Sequence, residues 1–306
     1  MIFKGFDWPV PEEKIVRVIT NTDAKNEADD QFAIVQALLS PKLDNVGMIA
    51  AHFGEKRTKT SMEESYTELE NIFDLMGFEK EGMLFHGAPH SLPDQSTPVD
   101  SEGARLIIRE AMKDDPRPLY VTFFGPLTDL ASAYLLEPRI GKRLIAIWIG
   151  GGAYPTGAAE FNLGNDVNAA NVIMKSNIEL WQVPKNVYER IPVSIAELAC
   201  RVRPHGKIGK YLFDQLIEHS FEDAARNSAF RTGESWVLGD SPAVGLILFE
   251  HRFEFDWVQA PEITPDMKYA HTGLNRPIRV YRRYDQRFIL EDLYSKLQLF
   301  AELEAK

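Results

Sequence analysis

The chain has 306 residues, 44% of them hydrophobic, enough for one large α/β core or two small ones. A formal net charge of −11 argues against a nucleic-acid-binding face, and the lone cysteine, Cys200, excludes an intrachain disulfide and a cysteine-based metal site. No run is long and apolar enough for a signal peptide or a bilayer span, so the expectation is a cytoplasmic protein with no membrane partner.

Residues 1–13 form a short arm carrying Trp8 and two prolines. Residues 15–20 are mostly apolar and β-branched, the pattern of a strand buried on both faces. Phe32, Val35, Leu38 and Leu39 then fall on one helical face. Between strand and helix lies a polar turn with four acids, Asp23, Glu27, Asp29 and Asp30. So many carboxylates in one turn repel unless something positive sits among them. Lys25 is one candidate and a hard divalent cation, Ca²⁺ or Mg²⁺, is another. The competing reading is that Asp29 and Asp30 only cap the helix.

Further along, strands are predicted over 46–53, 83–85, 119–124, 144–149 and 178–183, and helices over 61–76, 101–113, 127–136 and 166–175. Residues 86–99 form a proline-rich loop in which His86 and His90 read as surface residues. This alternation predicts a mainly parallel central sheet with helices on both faces. After Pro184 the pattern turns helical, over 193–199, 208–219 and 242–249, with late strands over 255–259 and 278–281 and a closing helix over 287–304. No Gly-, Ser- or Pro-rich linker divides the chain, so residues 1–306 read as one domain with a helical extension in the second half. In such a sheet ligands bind at the carboxyl ends of the strands, where the acidic turn sits.

The acidic turn resembles the opening of the nucleoside hydrolases: a strand, D-x-D, a short turn, D-D and an apolar helix. Here the run is Asn21-Thr22-Asp23, five residues, then Asp29-Asp30, so Asn21 replaces the first acid and the turn is longer than usual. The D-x-D of haloacid-dehalogenase-like phosphatases needs its first acid as nucleophile, which Asn21 does not supply. Gly125-Pro126-Leu127-Thr128-Asp129 is similar to the family's G-P-L-T-N segment, with Asp129 for Asn. Gly150-Gly151-Gly152 followed by Ala159-Glu160-Phe161-Asn162 is similar to its glycine-rich strand end and A-E-F-N segment. Gly239-Asp240-Ser241-Pro242-Ala243-Val244 is similar to H-D-P-x-A-V, with Gly239 where the family's proton-donating His stands. Read without the family, these are a strand-to-helix turn, a loop with a capping acid and a helix N-cap at Asp240.

The resemblance implies hydrolysis of the N-glycosidic bond of a ribonucleoside, with Ca²⁺ held by Asp23, Asp30, Asp240 and the Phe124 carbonyl. It makes Asp23 the general base and places Asp29, Glu160 and Asn162 on the ribose. Glu55 falls where the family often has a ribose-binding Asn. Trp236 and His52 are candidates for the base side of the substrate, and each also reads as a core residue. Homodimers or homotetramers follow from the resemblance alone. A non-catalytic nucleoside or sugar binder on the same scaffold, and a hydrolase of a non-standard ribosyl compound, remain alternatives.

Overall fold

The computed structural model describes residues 1–222, 233–249 and 254–305. Its centre is β1 (Val16–Thr22), buried along its whole length. It pairs in parallel with β2 (Leu43–Ala50) on one side and with β4 (Leu119–Phe123) on the other. The sheet continues outward through β3 (Leu84–His86) at one edge, and through β5 (Ile145–Ile149) and β6 (Glu179–Val183) toward the other. Two late strands complete it. β12 (Pro277–Arg283) lies parallel to β6, and β9 (Glu254–Gln259) closes the far edge antiparallel to β12. The order β3-β2-β1-β4-β5-β6-β12-β9 is therefore the mainly parallel sheet that the sequence predicts.

Successive side chains of a strand leave opposite faces, and β5 shows the consequence. Ile147 and Ile149 enter one apolar cluster, Ala146 and Trp148 the other. The first cluster packs against α1 (Asp30–Leu38) and α2 (Ser61–Met76). The second packs against α3 (Glu102–Met112), α4 (Thr128–Leu136) and, beyond the short α5 (Phe161–Asn165), α6 (Val167–Lys175). Both faces of the sheet are thus covered, which parallel strands require.

The described residues between β6 and β9 hold the helical extension: α7 (Lys185–Tyr188), α8 (Ile195–Arg201), α9 (Gly206–His219) and α10 (Ser241–Leu248). One expected helix, 193–199, divides. Residues Pro192–Ser194 form β7, antiparallel to β8 (Ser235–Val237), with Val193 opposite Trp236. Helix α8 starts only at Ile195, where the Ser194 hydroxyl accepts from the Glu197 N–H at 2.9 Å. Buried, β-branched Val193 belongs to the strand, and Ser194 is the cap. A further small pair, β10 (Glu262–Ile263) and β11 (Tyr269–Ala270), carries no strong sequence pattern. Helix α11 (Gln286–Glu304) closes the chain against the α1 face.

Candidate active site

Strand ends and the turns that follow them at the carboxyl edge of the sheet build one cavity of about 280 Å³. The turn after β1 brings Asp23, Glu27, Asp29 and Asp30; the residue after β4 is Phe124; Asp240 comes from the turn before α10. Glu160 and Asn162 enter at the start of α5. Asp23 and Glu27 both line the cavity, so either acid of the turn can face a ligand there.

The capping explanation of these acids does not hold. Asp29 occupies the N-cap position of α1, yet its side chain accepts no hydrogen bond from that helix. Its carboxylate is turned instead toward the backbone N–H groups of Gly239 and Asp240, which oppose the rise of its pKa. Asp240 in turn precedes α10 without capping it. One carboxylate oxygen from each of Asp29, Asp30 and Asp240 lies within 4.8 Å of the others. Asp23 is outside that trio but in the same cavity, and its buried Oδ2 has no partner among the described residues. Gly125 allows this approach: a Cβ there would stand 2.9 Å from Asp23 Cγ.

Among the described residues Arg57 and Lys185 are the cations that line the cavity, and they oppose only part of the carboxylate charge. Lys25 turns outward to Glu68, 3.6 Å away. Burial, then the charges of Asp30 and Glu27, hold Asp23 well above the usual carboxylate range. Burial and the Asp29 charge push Glu27 up to about 8, against the opposing pull of Lys185 and Arg57. Burial pushes Asp29 and Asp30 to about 7, and Asp240 is driven up by burial and by Asp29. For an acid whose folded pKa is raised, the folded state holds protons that the unfolded state has lost, so stability falls as pH rises through the folded pKa. The melting temperature in EDTA is therefore expected to drop between about pH 6 and about pH 8.5, a window in which exposed carboxylates no longer titrate. Saturating Ca²⁺ should flatten that slope; a rise with pH in EDTA would contradict this account.

The oxygen-rich wall is firmly held. The Phe124 carbonyl accepts from Asn162 Nδ2 at 2.6 Å, and the same nitrogen donates to the Ile149 carbonyl at 2.9 Å. Asn162 therefore braces a backbone carbonyl as well as facing the cavity. Glu160 does cap α5, accepting from Asn162 N and Leu163 N, and it accepts further from Gly151 N and the Tyr188 hydroxyl. It is a cap built into the cavity wall rather than a surface loop acid.

Two of the expected substrate contacts lie elsewhere. His52 is a core histidine: Nδ1 accepts from Gly54 N at 3.2 Å, and Nε2 meets Thr128 Oγ1 at 2.8 Å, which in turn donates to Asp166 Oδ2. Burial lowers its pKa to about 4, so it stays neutral. It misses the cavity because β2 ends at Ala50, and the segment predicted as strand to 53 has already turned inward. Glu55 is exposed on the following turn, outside the cavity; Arg57, two residues on, is the side chain of that turn that lines it. Trp236 is both things that sequence allowed, 2% exposed and part of the cavity wall. Lys185, Tyr188 and His219 also line the cavity and were not anticipated. The first two follow Pro184 at the carboxyl end of β6, a position that the strand-end rule marks. His219, at the last residue of α9, carries no local signal.

Comparison with known proteins decides the family. The family model described as inosine-uridine preferring nucleoside hydrolase matches residues 18–286. The chain belongs to this family. It is thereby one of the enzymes that hydrolyse N-ribosyl bonds. A probable uridine nucleosidase 2 from Arabidopsis thaliana is 25% identical over 224 residues, covering 64% of this chain and 67% of the relative. A pyrimidine-specific ribonucleoside hydrolase of Salmonella arizonae is 23% identical over 241 residues, covering 70% and 72%. Among solved structures, a purine-preferring ribonucleoside hydrolase from Gardnerella vaginalis shares the fold with a TM-score of 0.76 at 18% identity, over 94% of this chain and 99% of its own. Against the family pattern, two departures of this nucleoside hydrolase meet in space: Asn21 Nδ2 donates to Asp129 Oδ2 at 2.9 Å. A further departure, Gly239, leaves no room to spare, since a Cβ there would stand 3.1 Å from Tyr188 Cδ2 and 3.2 Å from Asp29 Oδ2.

Proposed function

We propose that this nucleoside hydrolase cleaves the N-glycosidic bond of a ribonucleoside to ribose and free base, and that it depends on a divalent cation, Ca²⁺ in the first place. The observation that carries this reading is the buried convergence of Asp23, Glu27, Asp29, Asp30 and Asp240 beside a braced backbone carbonyl. A donor set of carboxylate and carbonyl oxygens suits a hard cation and no soft one. Asp30 and Asp240, with the orphaned Oδ2 of Asp23 and the Phe124 carbonyl, would hold it. When bound, such a cation supplies a Lewis acid that orients and acidifies the attacking water.

The chain's own residues do the rest. Asp23, buried and raised in pKa, takes a proton from the water as it attacks C1′. Asp29, its carboxylate beside the backbone N–H groups of Gly239 and Asp240, accepts from a ribose hydroxyl. Glu160 and Asn162 complete a wall of fixed polar groups that holds the sugar while an oxocarbenium-like charge develops. Burial of these groups excludes the bulk water that would weaken each contact.

Assay of the purified protein against a panel of purine and pyrimidine ribonucleosides tests this. Free base should appear from at least one of them, stop with EDTA and return with Ca²⁺. No release across the panel with Ca²⁺ present, or calorimetric nucleoside binding without turnover, would overturn it, the second outcome in favour of a non-catalytic binder.

A further inference from the structure

We propose that His219 is the acid that protonates the departing base, from a different element than the position that Gly239 leaves bare. This rests on the ribosyl-hydrolase reading above. An ordinary nucleobase leaves as an anion unless a proton reaches its ring nitrogen, and a positioned acid is the usual means. Residue 239 has no side chain, and Tyr188 and Asp29 crowd the place where one would start.

Elimination among the proton-bearing groups that line the cavity from the described residues points the same way. Tyr188 donates its hydroxyl to Glu160 Oε1 at 2.9 Å. Lys185 pairs with Glu189 at 2.8 Å. Arg57 is tied to Asn26 and Lys25 carbonyl oxygens, and a guanidinium does not give up its proton. The carboxylates act mainly on one another, which marks the cation end of the cavity. Burial lowers the His219 pKa, and the charges beside it are Glu222, Arg57 and Lys25 rather than the cluster's carboxylates.

His219 has the geometry for the task. Its Nδ1 lies 3.1 Å from Glu222 Oε2, so a carboxylate fixes the ring and opposes the burial that lowers its pKa, and the N–H left to give is the one at Nε2. The ring stands edge-on to Trp236, centroids 5.7 Å apart at 81°. The indole N–H of Trp236 is buried without a partner among the described residues, a donor that a carbonyl or ring nitrogen of a base would satisfy. Cavity wall, stranded donor and oriented imidazole together make a base-side subsite.

The step balances. The C1′–N bond breaks with its electron pair going to the base nitrogen, which takes the proton from His219 Nε2. The water oxygen bonds to C1′ and its proton passes to Asp23. Solvent then returns a proton to the imidazole and removes one from Asp23.

The test compares two leaving groups. His219→Ala should lower kcat on an ordinary ribonucleoside by about 100-fold or more. On p-nitrophenyl riboside, whose phenolate leaves without a proton, the same variant should lose less than about 3-fold, because no acid is needed there. Glu222→Gln should show a smaller loss of the same selectivity. Equal loss on both substrates, or no loss on either, would overturn the assignment, as would the selective loss appearing in Glu27→Gln instead. Wild-type turnover of p-nitrophenyl riboside upholds the hydrolase reading whichever way His219 falls. Wild-type inactivity on both substrates would remove that reading and this one with it.

Discussion

Replacing Asp240 by asparagine is expected to weaken divalent-cation binding by roughly 100-fold or more, the upper end of what even second-layer changes cost a metal site, and ribosyl hydrolysis should fall with it. The same change should raise the melting temperature of the cation-free protein. Asp240 is 5% exposed, caps nothing, and faces Asp29, Asp30 and Asp23. Without a cation its carboxylate adds repulsion in a buried place; the amide keeps the shape and removes the charge. With a cation the balance reverses, because the lost oxygen charge was a ligand. The two opposite signs separate this account from its rivals. A packing role would lower stability in both states, and a helix-capping role would do so by about 1 kcal/mol. Calorimetric titration with Ca²⁺ and thermal melts in EDTA read both quantities. A lower melting temperature in EDTA, or unchanged affinity, would end the claim.

How far sequence reaches into this molecule depends on the range of the forces involved. Helix α2 was bounded correctly, Ser61–Met76, because its stop is local: Gly77 takes the left-handed conformation at φ 65°. The inner strands β1 and β4 were found because burial on both faces leaves mostly apolar, β-branched or aromatic runs. The acidic turn was legible for the same reason, since a knot of like charges conflicts with its surroundings unless it serves something. What sequence could not show was which way a chain turns after its strand. His52 and Glu55 sit just past β2, where a ligand contact is reasonable, yet one turns inward to Thr128 and the other outward to solvent. Val193 was read as helical because its strand partner, Trp236, is far off in sequence. His219 reaches the cavity only through the packing of α9, which no local pattern encodes.

The two apparent departures from the family pattern at Asn21 and Asp129 have a physical account that sequence order hides. They are one pair. The Asn21 amide donates to Asp129 Oδ2, while Asp129 Oδ1 accepts from Ser101 Oγ at 2.6 Å and Ala88 N at 2.9 Å. Where the family has an acid on the first strand and an amide after the G-P-L-T turn, this chain has the amide first and the acid second, so one charge and one amide are kept. Burial pushes the Asp129 pKa up, against the pull of those hydrogen bonds. Asn21→Asp would therefore set two buried carboxyl groups against each other, at an expected cost of about 3 kcal/mol. The cost should grow from acid to alkaline pH, because below neutrality one of the two can keep a proton. Asp129→Asn alone should cost only about 1 kcal/mol, since Asn21 Oδ1 has no partner among the described residues and a flipped amide would turn it toward the new Asn nitrogen. The double exchange restores an acid–amide pair in the opposite order and should come back to within about 1 kcal/mol of the wild-type stability, a coupling of about 3 kcal/mol. Urea unfolding of the four proteins measures it. If the two single costs simply add in the double variant, the pair is not a unit, and Asn21 is a true loss of the family's first acid rather than half of an exchange.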